Sequence, residues 1–144
     1  MGIDENEEKF AWKKAVNLLS RRAYFSTELR QKLETAGFSS DIVDAVITKC
    51  RQAGYIDDEE RARRMVEMWE RKGYGPARIR LELQKRGVKA SIPIANNAQY
   101  ISRYIEKHLP ATPTQQQKAK IIRALLRRGF SHEMIYTALQ ECLT

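Results

Sequence analysis

Two stretches of this chain align on one another without a gap. "KLETAGFSSDIVDAVITKC" and "ALLRRGFSHEMIYTALQEC" place Gly37 on Gly129, Phe38 on Phe130 and Ser39 on Ser131. The same register puts Leu29 on Ile121, Leu33 on Leu125 and Cys50 on Cys142, and it matches Ile42, Val43, Val46 and Ile47 with Met134, Ile135, Ala138 and Leu139. "RIRLELQKRGV" supplies a middle copy with Ile79, Leu83, Gly87 and Val88. A supersecondary unit repeated at this scale cannot bury its apolar face alone, so the units must pack as an array. The glycines recur after 50 and then 42 residues (37 to 87, 87 to 129), which suits three short helices per unit.

Apolar spacing gives those helices. Trp12, Val16 and Leu19 recur at helical intervals, as do Leu29, Leu33 and Ala36. Ile42, Val43, Val46, Ile47 and Cys50 form a third stripe, and Ala62, Met65, Val66 and Trp69 a fourth. No alternating strand pattern competes. Gly37, Gly54, Gly73, Gly87 and Gly129 each follow a periodic run, where a left-handed residue ends a helix. Ser26 is expected to cap a helix over 27–36, and Asp57 with Glu60 to form a capping box for 58–72. Gly75 and Pro76 fit an N-cap and a first helical position. Pro110 and Pro113 bound a linker, and Thr114 opens the next helix. The middle copy breaks after Gly87: Pro93, Asn96 and Asn97 interrupt the pattern before Ala98, Ile101, Ile105 and Leu109 resume it. The reading is therefore an all-α chain of tandem three-helix repeats in an elongated, curved array, over 1–55, 56–94 and 95–144. The first helix of the third unit is placed at 95–109. The last helix of the second unit is reduced to about one turn at 89–94, leaving eight good helices.

Few chemistries suit this composition. The start "MGIDENEEKF" is acidic and polar, unlike a secretory signal, and no apolar run approaches the roughly 20 residues of a membrane span. The expectation is a cytoplasmic protein. Cys50 and Cys142 share a repeat offset, which marks them as small buried hydrophobes rather than redox or metal groups. His108 and His132 have no ligand-spaced partner. Asp57, Asp58, Glu59 and Glu60 could hold a metal or act as an acid/base pair, but acids at a helix start complement its dipole, and that reading is preferred. There is no phosphate-binding loop and no nucleophile with its base. The chain reads as a non-enzyme without cofactor or metal.

The net charge of +8 points to an acidic partner. Residues 61–90 hold ten bases against Glu67, Glu70 and Glu82. Lys118, Lys120, Arg123, Arg127 and Arg128 fall in a stretch without acids. At about 100° per residue, Lys120, Arg123 and Arg127 lie together, away from Ile121 and Leu125. Arg64 and Arg71 share a stripe, as do Arg78 and Lys85, and Arg71 is within reach of Glu67. Such short stripes grip phosphates without reading sequence, or dock an acidic protein groove; plain solubility is the bland alternative. Tyr24 and Tyr74 lie near these faces, where packing is favoured over base stacking. Trp12 and Trp69 are expected in the core.

"GYIDDEERARRMVEMWERKGYGPARIRLELQKRGV" resembles the signature middle repeat of the RecX family of bacterial regulatory proteins. "FSTELRQKLETAGF" and "KAKIIRALLRRGF" resemble its first and third repeats, so the likeness covers about residues 10–143. The resemblance implies tandem three-helix repeats and a modulator, usually an inhibitor, of the RecA recombinase. Such proteins lie in the groove of the RecA–single-stranded-DNA filament, perturb ATPase and strand exchange, limit filament growth, and bind single- and double-stranded DNA weakly and without sequence preference. It implies no cofactor. Apart from the resemblance, no membrane partner and a monomer are expected. The positions matching the family's interaction surface are Arg71, Lys72, Tyr74, Arg78 and Arg86 in the signature, with Lys118, Lys120, Arg123, Arg127 and Arg128 in the third unit; Arg64 and Lys85 join them from the stripes. The chain departs from the family at 88–97, where the family has a longer stretch with two full helices. The alternative reading is a free-standing, sequence-independent DNA-binding repeat protein.

Overall fold

A computed structural model describes residues 4–88 and 92–143. Among the described residues there are eight α-helices and no strand. The described residues of 1–63 and 83–92 form one compact unit, and those of 64–82 and 93–144 a second.

In the first unit, α1 (Glu5–Arg21), α2 (Ser26–Thr35) and α3 (Ser40–Gln52) enclose one core. Asp4 caps α1, its Oδ1 accepting from the Asn6 N–H at 2.9 Å. Leu29 and Leu33 from α2 meet Val43, Val46, Ile47 and Cys50 from α3, all at most 1 % exposed. Full burial of each such aliphatic chain contributes about 1.5–3 kcal/mol. The expected Trp12–Val16–Leu19 stripe is corrected on α1. Ala11 and Ala15 line the seam, Trp12, Leu18 and Leu19 flank it, and Val16 is 37 % exposed. Alanine lets α1 lie close against α3, and a reading weighted toward large apolar residues misses that seam. Ala36 is exposed too, because it stands one residue beyond the end of α2.

The unit also holds the start of α4 (Asp58–Arg71) and the end of α5 (Pro76–Lys85). Ser26 does not cap α2; it is the first helical residue, and Phe25 occupies the cap position. The Phe25 N–H instead donates to Glu28 Oε1 at 2.8 Å. Ser26 is committed elsewhere: its N–H donates to Asp58 Oδ1 at 2.8 Å, its hydroxyl donates to Asp58 Oδ2, and its Oγ accepts from Arg51 Nη2 at 3.1 Å. Thr27 Oγ1 donates to the Arg86 carbonyl at 2.6 Å, and a Cβ on Gly87 would lie 2.9 Å from the Thr27 side chain.

In the second unit, α6 (Ala98–His108), α7 (Gln115–Arg127) and α8 (His132–Leu143) bury Ile101, Ile105, Ile121, Leu125, Phe130, Ile135 and Leu139. Thr114 caps α7 as expected, accepting from the Gln117 N–H at 3.1 Å while its own N–H donates to Gln117 Oε1 at 2.9 Å. The expected helix over 95–109 begins three residues late. Asn97 adopts the left-handed conformation (φ 57°), and its side-chain amide donates to the Glu70 and Tyr74 carbonyls at 3.0 and 3.3 Å. The Ala95 N–H donates to Glu70 Oε1 at 3.2 Å. These bonds hold 95–97 against the end of α4 and its following turn, and Asn tolerates the positive φ they require. Of the turn expected at 89–94, residues 89–91 lie outside the described residues, and 92–94 are not helical.

Gly75 and Gly129 join α5 to α7 backbone against backbone. The Gly75 N–H donates to the Arg128 carbonyl at 2.6 Å, and the Ala77 N–H to the Gly129 carbonyl at 3.1 Å. Unpaired amides at one helix start thus satisfy unpaired carbonyls at another helix end. A Cβ on Gly75 would lie 2.5 Å from the Gly129 backbone, and one on Gly129 would lie 2.5 Å from the Arg78 backbone nitrogen.

Gly37 and Gly129 share a repeat position and nearly the same φ, +99° and +100°, but a Cβ at Gly37 would meet nothing within 4 Å. Gly37→Ala should therefore cost only the left-handed strain of about 1–2 kcal/mol. Gly129→Ala should cost about 1–3 kcal/mol more, from the clash with α5. Urea unfolding of the two variants checks this; equal losses would disprove the junction.

Candidate basic interface

The turn between α4 and α5 collects basic side chains from three helices of the second unit. Arg78, in the first turn of α5, lays its guanidinium over the Tyr74 ring at 4.2 Å and reaches the Arg127 carbonyl at 3.5 Å. Arg128 donates to the Lys72 carbonyl at 3.2 Å and sits 5.3 and 5.5 Å from the Tyr100 and Tyr104 ring centroids. Lys72, Tyr74, Arg78, Arg127 and Arg128 are thereby brought together around the Gly75–Gly129 contact. Lys72, Arg127 and Arg128 complement the negative ends of the α4 and α7 dipoles, whereas Arg78, at the positive start of α5, is held by the Tyr74 ring and the Arg127 carbonyl.

These residues divide by what their charged ends do. Arg78 and Arg128 are half-buried and occupied by carbonyls and rings within the unit. Arg71, Lys72, Lys120, Arg123 and Arg127 are exposed, and their charged groups form no ion pair among the described residues. Lys118 is half-buried beside them on α7. The stripe read from helical spacing is present: Lys120, Arg123 and Arg127 face solvent while Ile121 and Leu125 are buried. The expected Glu67–Arg71 pair is absent among the described residues; an exposed pair at this spacing is worth only about 0.2–0.5 kcal/mol and does not hold two long side chains together. Arg64 lies on the exposed face of α4, and Lys85 and Arg86 belong to the first unit.

Two features escaped the sequence reading. Tyr100, Tyr104 and His108 follow one another along α6 at four-residue steps, the first two stacked and His108 tilted by 43° to Tyr104, and Phe130 lies nearly parallel to Tyr100 at 6.1 Å. The Tyr100 ring covers Gly73, where a Cβ would sit 2.2 Å from it. The four-residue aromatic spacing was the available signal. Arg103 also joins Arg71, with Glu67, Glu70, Asn97 and Gln99, around an open cleft of about 580 Å³. Arg103 was missed because it stands outside the dense basic runs.

The other candidates have structural employment. Asp57 accepts from the Glu60 N–H at 3.1 Å, Asp58 holds Ser26, and Glu59 pairs with Arg63. Among the described residues no three His, Cys, Asp or Glu side chains are placed to hold a metal. Cys50 is buried and its thiol pKa is raised by that burial, while the half-buried Cys142 is raised by burial and then by Glu106 and Glu141. Trp69 is buried as expected, Trp12 is half-buried with its ring centroid 5.9 Å from that of Tyr55, and Tyr24 packs under Arg22 at 3.7 Å. None of the helices among the described residues is long and apolar enough to cross a membrane.

Family models for the first, second and third three-helix domains of RecX match residues 11–50, 57–92 and 101–139. The chain belongs to the RecX family. A regulatory protein RecX of Vibrio vulnificus is 35 % identical over 136 residues, covering 88 % of this chain and 89 % of that one. Another, from Pectobacterium atrosepticum, is 33 % identical over 146 residues, covering 84 % and 90 %. The crystal structure of RecX from Lactobacillus salivarius superposes with a TM-score of 0.79 at 24 % identity, over 95 % of this chain and 97 % of that one, which shows the RecX fold.

Arg128→Ala should lower stability by about 1 kcal/mol, from the lost carbonyl bond and ring contacts. Arg123→Ala should leave the thermal midpoint unchanged. Melting curves of both variants separate the basic residue that fastens the unit from the one that only faces solvent.

Proposed function

We propose that this chain is a RecX-type regulator that binds the RecA–single-stranded-DNA filament and restrains its ATPase, strand exchange and growth. Membership of the RecX family through all three domains carries the reading. The basic side chains of α4, α5 and α7 support it. A filament groove holds DNA phosphates and acidic protein surface, and exposed cations suit both. Arg64, Arg71, Lys72, Lys120, Arg123 and Arg127 would meet the filament directly. Tyr74, Arg78 and Arg128 would act at the same place while holding the α4–α5 turn in shape. Lys118 extends the stripe along α7, and Lys85 and Arg86 add contacts from the first unit. Regulation requires that one filament state bind better than another, because a ligand with equal affinity for both shifts neither.

The test is RecA ATPase and filament lifetime on single-stranded DNA as the protein is titrated in. Both should fall, and no change at saturating protein would overturn the reading. The triple charge reversal Lys120→Glu, Arg123→Glu and Arg127→Glu should raise the half-effective concentration about tenfold or more. The second reading, a DNA-binding repeat protein indifferent to RecA, is favoured by the same exposed cations. It predicts that naked DNA competes fully, with a salt slope falling by about one for each phosphate contact removed.

A further inference from the structure

The α7–α8 face of the third repeat is an open groove of about 660 Å³, lined by Lys118, Ala119, Ile122, Tyr136, Leu139 and Leu143. Tyr136 and Leu143 are 52 % and 40 % exposed. The repeat register says what covers such a face. Subtracting the 92 residues between Gly37 and Gly129 maps Lys118 and Ala119 onto Ser26 and Thr27, and Leu143 onto Arg51. In the first unit those three residues grip the following repeat: Ser26 holds Asp58 at the start of α4, Arg51 braces Ser26, and Thr27 holds the Arg86–Gly87 turn. Ile122 and Tyr136 map onto Arg30 and Asp44, which close that face with a 2.6 Å ion pair. The third repeat exchanges the polar fittings for apolar ones and one cation.

The elements that fill this face have counterparts once more in the chain, at the start of α1 and the Gly37 turn. Fifty residues before Asp58 and Gly87 stand Glu8 and Gly37. The Gly37 turn is open, with no atom within 4 Å of a Cβ. At the start of α1, Glu8 is held by Lys49, while Asp4, Glu5 and Glu7 remain, opposite in charge to Lys118 and Lys120. Phe10 beside them is 66 % exposed, an unpartnered aromatic of the kind that anchors interfaces. We infer that the α7–α8 groove of one copy receives the α1 start and Gly37 turn of a second copy. This contact is heterologous, so it adds copies head to tail rather than closing a symmetric pair.

Sedimentation velocity of the protein alone, up to about 1 mM, tests this without RecA or DNA. Mass should rise with concentration past the dimer. Phe10→Arg and Tyr136→Arg, both on exposed side chains, should each weaken association by about 30-fold or more, the scale of a buried anchor. An equimolar mixture of the two should recover dimers and stop there, because each pair keeps one intact groove and one intact α1 start. A constant monomer mass would overturn the inference, as would a dimer that both variants retain or a mixture that stays monomeric.

Discussion

The second unit depends on a contact with no side chain between its partners. Gly75 and Ala77 at the start of α5 give their amides to the Arg128 and Gly129 carbonyls at the end of α7. The approach is close enough that a Cβ on either glycine would collide with backbone. The surrounding groups follow from that approach. Arg78 and Arg128 reach the remaining carbonyls, and Tyr100 closes over Gly73. The "KGYGP" stretch is thus a joint whose two glycines serve different neighbours, a ring for Gly73 and a main chain for Gly75.

The basic surface and the fold draw on the same residues. Positive charge beside the ends of α4 and α7 stabilises those helices, and it would attract phosphate or carboxylate from outside. Arg78 and Arg128 commit part of their guanidinium groups within the unit and keep their charge. Arg123 and Arg127 turn group and charge alike to solvent. A loss of binding on substituting Arg128 would therefore mix a missing cation with a loosened turn.

Much of the architecture was legible in the residues. The glycine register and apolar stripes gave the eight helices, and the left-handed glycines lie where helices end. What escaped was set by tertiary partners. Ser26 looked like a cap because its type favours caps, but Asp58, 32 residues later, claims it. Ala11 and Ala15 carry too little apolar weight to announce a seam. Asn97 delays α6 because two distant carbonyls hold its amide. On the basic faces, spacing correctly separated Lys120, Arg123 and Arg127 from the core. It could not say that Arg128 turns inward or that Arg103 stands by Arg71.

Asn97 also makes the turn depend on a single side-chain nitrogen. Its side-chain NH₂ serves two main-chain acceptors, the Glu70 and Tyr74 carbonyls, in a stretch without helix. Deamidation would change no more than one atom's identity, yet it would set a carboxylate oxygen against two carbonyl oxygens. A carboxylate at this one position would thus loosen the turn while leaving every core side chain in place.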